Sequence, residues 1–76
     1  MMFYVDQEVR PQGNTSVQYH IVNENSAIVG TVRIDYKRGK GSWTYRDKKG
    51  RKIRNRDTRA RMSVAVNHYM DHQPVD

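Results

Sequence analysis

An α+β fold is predicted: a single antiparallel meander sheet of four or five strands, with one C-terminal helix packed on one face. Three observations predict it. Apolar and polar residues alternate in several short runs through the first two thirds of the chain, the period of half-buried strands. Turn-forming clusters separate those runs. After Asp57 the apolar spacing lengthens to a single helical stripe. A sheet layer with one helix across it buries one face of each strand and leaves the other face to solvent or a partner.

Each element follows in order. Residues 3–9 place Phe3, Val5 and Val9 on one face and Tyr4, Asp6 and Glu8 on the other. Pro11-Gln12-Gly13-Asn14 is turn chemistry. Residues 16–22 alternate again, with Val17, Tyr19 and Ile21 together, and Asn23-Glu24-Asn25-Ser26 is a second polar turn. Ile28 to Tyr36 is the clearest strand, with Ile28, Val32, Ile34 and Tyr36 opposite Thr31, Arg33 and Asp35. Lys37 to Gly41 reads as a hairpin loop, its two glycines permitting positive φ. Ser42 to Arg46 sets Trp43 and Tyr45 against Thr44 and Arg46. Asp47-Lys48-Lys49-Gly50 suits a type I turn closed by a left-handed glycine. Arg51 to Arg54 is a short last strand with Ile53 inward and Lys52 and Arg54 outward. Asp57 is the expected N-cap of a helix starting near Thr58. Met62, Ala65, Val66 and Tyr69 form its stripe, and Pro74 ends it.

The 76 residues make one domain. Within it, residues 1–26 form an N-terminal strand pair, 27–56 a basic three-stranded meander and 57–73 the C-terminal helix. So short a chain buries only about 60–65% of its extended surface. It has no cysteine, which fits a reducing, cytoplasmic compartment. No apolar run approaches the roughly 20 residues that span a bilayer, and the first residues do not read as a signal peptide. No membrane association is expected.

The distribution of charge says more than the net +6. Arg33 to Arg61 holds thirteen Lys or Arg against three acids, a local +10, while the remainder carries −4. Such asymmetry makes a directed field that concentrates a polyanion. If Ile34, Trp43, Tyr45 and Ile53 point to the helix, the pleat sends Arg33, Asp35, Thr44, Arg46, Lys52 and Arg54 to the free face. The loops add Lys37, Arg38 and Lys40, and Lys48, Lys49 and Arg51; Arg56 and Arg59 flank the helix start. A β-ribbon fits the DNA major groove, roughly 12 Å wide. Loop cations then hold phosphates, while Arg33, Arg46 and Arg54 are the candidates for base edges and Thr44 for a thymine methyl. Asp35 is a candidate acceptor from cytosine, with pairing to a neighbouring cation the expected role. The expected partner is nucleic acid, duplex DNA first. Structured RNA is an alternative, and so is an acidic or nucleic-acid-binding surface of a protein, met by a phage-type inhibitor or adaptor.

Gly41-Ser42-Trp43-Thr44-Tyr45-Arg46, then Asp47-Lys48-Lys49-Gly50-Arg51-Lys52, then Thr58 opening an Ala-containing helix, resembles the N-terminal arm-binding domain of phage and transposon integrases. That domain is similar in layout to the plant ethylene-response-factor DNA-binding domain. The resemblance covers residues 28–70. It implies three strands and a helix with the sheet in the major groove, the aromatic at Trp43 packed on the helix, and Arg46, Lys52 and Arg54 facing DNA. Residues 3–22 have no counterpart in the minimal domain. No recombinase catalytic domain accompanies the resemblance, so it implies no strand transfer.

Catalysis is not expected. His68 and His72 stand i, i+4, close enough to share a metal, with Asp71 or His20 as a third ligand. Histidines in a last helical turn are accounted for by the helix dipole and water, so no metal is expected. The chain has no Cys and no Ser in an elbow motif, and Gly39-Lys40-Gly41 is too short to cradle a phosphate. No cofactor is expected.

Overall fold

A computed structural model describes residues 2–11 and 15–73. Four strands, β1 (Phe3–Val9), β2 (Ser16–Asn23), β3 (Ile28–Lys37) and β4 (Lys40–Asp47), form one antiparallel sheet in the order β1-β2-β3-β4. Helix α1 (Arg56–Asp71) packs on one face, most extensively over β1. The fold is thus the α+β meander that the alternation predicts, with four strands rather than five. Residues 51–54 do not form a strand; they make a single antiparallel bridge, Arg46 to Lys52. The expected turn at Gln12–Asn14 and the expected stop at Pro74 lie outside the described residues. Among the described residues no helix is long and apolar enough to cross a membrane.

The core joins Val17, Tyr19 and Ile21 of β2, Val32 and Ile34 of β3, and Met62, Ala65 and Val66 of α1, all buried. Register explains the set. Val17 pairs with Ile34, which pairs with Trp43; Tyr19 pairs with Val32, which pairs with Tyr45. Cross-strand partners share a face, so each row is apolar from strand to strand. Trp43, Tyr45 and Ile53 are half-buried against this core, and the Tyr45 hydroxyl meets the Ser63 Oγ at 2.6 Å, tying β4 to the helix. The Tyr19 and Tyr69 rings meet edge to face, 5.7 Å between centroids.

Two bulges alter the expected facing. Between Val5 and Gln7 the β1 register shifts, which leaves Asp6 unpaired. Beyond it Glu8 lies opposite Tyr19 on the inner face and Val9 opposite Gln18 on the outer face, the reverse of simple alternation. Glu8 is held there by Gln73, whose Nε2 donates to Oε1 at 3.1 Å, and by Arg10. A second shift, between Ile21 and Val22, leaves Val29 unpaired on β3. Val29 turns toward the core, and Ile28 turns outward beside Val22, 67% exposed. Gly30 follows this bulge because the chains approach too closely for a side chain: a Cβ there would lie 2.0 Å from the Arg46 carbonyl oxygen.

The helix also starts earlier than expected. Asn55, not Asp57, is the N-cap, and its side chain accepts from the Thr58 N–H at 3.0 Å. Asp57 sits inside the first turn, where its charge complements the helix dipole. Arg56 and Arg59 share that turn and oppose it.

Candidate functional site

The outer sheet face is the one that α1 leaves uncovered. Its rows run across the strands. Gln7, His20, Thr31, Arg46 and Lys52 make one row; Val9, Gln18, Arg33 and Thr44 make the next; Ser16, Asp35 and Ser42 a third; Lys37 and Lys40 close the hairpin end. Five cations that are scattered along the sequence, Arg33, Lys37, Lys40, Arg46 and Lys52, are therefore brought to one face. All five are exposed.

Local chemistry positions them. Arg33 Nε donates to Asp35 Oδ1 at 3.0 Å, and both groups stay open to solvent, so the pair orients the guanidinium more than it stabilises the fold. Arg46 reaches along the edge, its guanidinium donating to the Gly50 carbonyl at 3.0 Å. Thr44, half-buried, stands opposite Arg33. Lys37, Lys40 and Lys52 form no salt bridge among the described residues.

The loops carry a second group. The β3–β4 loop is Arg38-Gly39, both with positive φ (53° and 79°), a tighter turn than the expected span of Lys37 to Gly41. Two consecutive left-handed residues match the twist of a two-residue hairpin. An arginine in that conformation costs about 1–3 kcal/mol, and it sits at the tip. Gly41 belongs to β4 instead.

The second loop follows the expected turn chemistry. Gly50 has φ 83°, and its N–H donates to the Asp47 carbonyl at 2.9 Å. Asp47 organises the turn: its Oδ1 accepts from the backbone N–H of Lys49 and of Arg51, and Arg51 Nε stands 3.5 Å from Oδ2. The Arg51 N–H, then that of Lys49, and the Arg51 charge hold the Asp47 carboxyl below its ordinary range. Lys48, Lys49 and Arg51 project from this loop, exposed.

The remaining candidates are not on that face. Arg54 is exposed beyond the bridge, where pairing has ended. Arg56 and Arg59 belong to α1. Arg59 lines a polar depression between helix and sheet with Trp43, Thr44, Tyr45, Lys52 and Ile53. His68 and His72 stack at 4.0 Å, and His72 Nδ1 is 2.9 Å from the His68 carbonyl oxygen. No cluster of three metal-ligating side chains occurs among the described residues.

Gln18, His20 and Thr31 are not among the nucleic-acid contacts expected from sequence, yet they fill the rows between the cations. The signal existed: they alternate with Val17, Tyr19, Ile21 and Val32. Being uncharged, they do not stand out beside the basic residues. No protein-family model, no curated protein and no solved structure matches the chain.

Proposed function

We propose that the chain is a small nucleic-acid-binding protein that lays its uncovered sheet face on duplex DNA. The observation that carries this reading is the register, which collects Arg33, Lys37, Lys40, Arg46 and Lys52 on the face without a helix. Hairpin-tip Arg38 and turn residues Lys48, Lys49 and Arg51 stand where flanking phosphates would run. Arg33 and Arg46 lie on adjacent rows with Gln18, His20, Thr31 and Thr44 beside them, a set able to donate to and accept from base edges in a major groove. The Arg33–Asp35 pair is solvent-open, so a guanine edge can compete for the guanidinium. This reading involves no catalysis and no cofactor. Arg54, Arg56 and Arg59 join it only as contacts at the rim.

Salt dependence tests it. Neutralising about five phosphates gives a log–log slope near −4.5 on duplex DNA. A slope near zero, or no binding, would remove the proposal.

One observation favours a second reading. Tyr4, Val22 and Ile28 form an apolar row at the far end of the same face, with Tyr4 43% exposed. Apolar surface beside cations suits an acidic protein partner, as an inhibitor or adaptor would require. Binding such a partner is lost with Ile28→Ser, whereas DNA binding through the basic rows is not. Structured RNA, taken by shape and phosphate contacts, is separated by competition between RNA and DNA duplexes of matched length.

A further inference from the structure

The inner face is not wholly covered. Because α1 lies mainly over β1, it covers little of β3 and β4. Tyr36 is 41% exposed although it has the parity of the core. Its cross-strand partner is Gly41, itself exposed. The missing side chain leaves a strip floored by Ile34 and bordered by two aromatic rings: a Cβ on Gly41 would stand 3.1 Å from Ile34 Cγ2, 3.4 Å from Tyr36 Cε1 and 3.6 Å from Trp43 Nε1. Tyr45 continues the row, tilted 31° to Trp43 with 6.3 Å between centroids. The indole N–H of Trp43 has no hydrogen-bond partner among the described residues. No buried side-chain polar atom is left unsatisfied there, so this N–H reaches solvent. Lys37, Arg38 and Lys40 adjoin the strip in sequence and share its end of the hairpin.

We propose that Tyr36 and Trp43 form a shelf on which an unpaired base of a nucleic acid stacks, while its phosphates cross the cationic hairpin tip. The proposal rests on the nucleic-acid reading above and narrows it: the ligand is duplex with a single-stranded extension rather than blunt duplex. Three features together fit an unpaired nucleotide: two aromatic rings bordering one exposed glycine, a free indole donor beside it, and cations for the backbone. A base pair inside a duplex is stacked on both faces, so the interior of a duplex leaves the shelf empty. The occupant is charged by necessity of the tip, which an apolar peptide would not satisfy.

Trp43 is the only tryptophan, so its emission reports on the shelf directly. The test titrates the full chain with a blunt duplex and with the same duplex carrying a short single-stranded extension. The extension is expected to quench Trp43 emission and to tighten binding about tenfold, the size of one base stacked on an aromatic ring. Tyr36→Ala should remove that gain and leave blunt-duplex affinity within about twofold, and Tyr36→Phe should keep it. If both duplexes bind alike with unchanged emission, the shelf is refuted while the cationic face stands. If the gain survives Tyr36→Ala, the base stacks elsewhere and the shelf is likewise refuted. If neither duplex binds, the nucleic-acid reading and the shelf fall together.

Discussion

The two faces of the sheet are built from the same strands and do opposite things. On the inner face, Val17, Tyr19, Ile21, Val32 and Ile34 are buried under Met62, Ala65 and Val66. On the outer face, one residue along each strand, Arg33 and Arg46 stand exposed among Gln18, His20, Thr31 and Thr44. The inner face is specified by volume, since packing tolerates little change. The outer face is specified by charge and hydrogen-bonding groups, which water satisfies until a ligand replaces it. Substitutions on the two faces should therefore separate stability from binding.

The largest effect belongs inside. Met62→Ala should cost about 2–5 kcal/mol, as a buried truncation does, measured by denaturant unfolding. Its DNA affinity, per folded molecule, should be unchanged; a matching loss of affinity would break the division between faces. Trp43→Ala should cost less than that range, because Trp43 is only half-buried.

Next comes the outer face. Arg46→Ala should weaken duplex binding by about 1–3 kcal/mol, and single losses of Lys48 or Lys49 by less. Stability should stay within about 0.5 kcal/mol in each case. Equal small losses at every cation in a gel-shift series would mean diffuse coating rather than a docked face.

Arg38 sharpens the comparison, because there the two demands conflict. Arg38→Asn puts a residue at home in the left-handed region at the hairpin tip and should raise stability by about 1 kcal/mol. On the proposed interface the same change removes a phosphate contact and should lower the salt slope by about one. A variant that gained stability without losing salt dependence would show that Arg38 is not part of the interface.

The smallest effects are titrations, of Tyr19 in the core and of Asp47 in the turn after β4, and they run in opposite directions. Burial, and then the charge of Glu8, push the Tyr19 hydroxyl above its ordinary value of 10.0. The folded state holds that proton more tightly, so this contribution is intact below pH 10 and lost as pH rises through the folded value. Asp47 is held below 3.8. Its contribution is intact above that value and lost as pH falls through the folded one. Tyr19→Phe should flatten the alkaline limb of a stability profile, and Asp47→Asn the acid limb, each leaving the other limb alone.

Much of this was legible along the chain. Alternation in residues 17–22 and 30–35 places the buried and exposed residues of β2 and β3 correctly, because a half-buried strand has a period of two. The helical stripe of Met62, Ala65, Val66 and Tyr69 is equally plain. Where reading failed, a bulge or a competing local bond intervened. Asp6 and Val29 each insert one residue, which flips Glu8 inward and Ile28 outward. No periodicity announces such a shift. Asn55 displaced Asp57 as the cap because the connector after the Arg46–Lys52 bridge delivers it to the helix start. The cations of the outer face could be listed in advance, but not which of them would meet.

By itself the sequence determined the element types, the apolar face of β2, β3 and α1, and the concentration of positive charge between Arg33 and Arg61. These depend on spacing and composition, which are local. Only the tertiary structure decided the strand register, the two bulges, and the lateral position of the helix over β1. Those follow from how whole faces fit together, and they determine which cations share a plane and why Tyr36 and Trp43 remain partly uncovered.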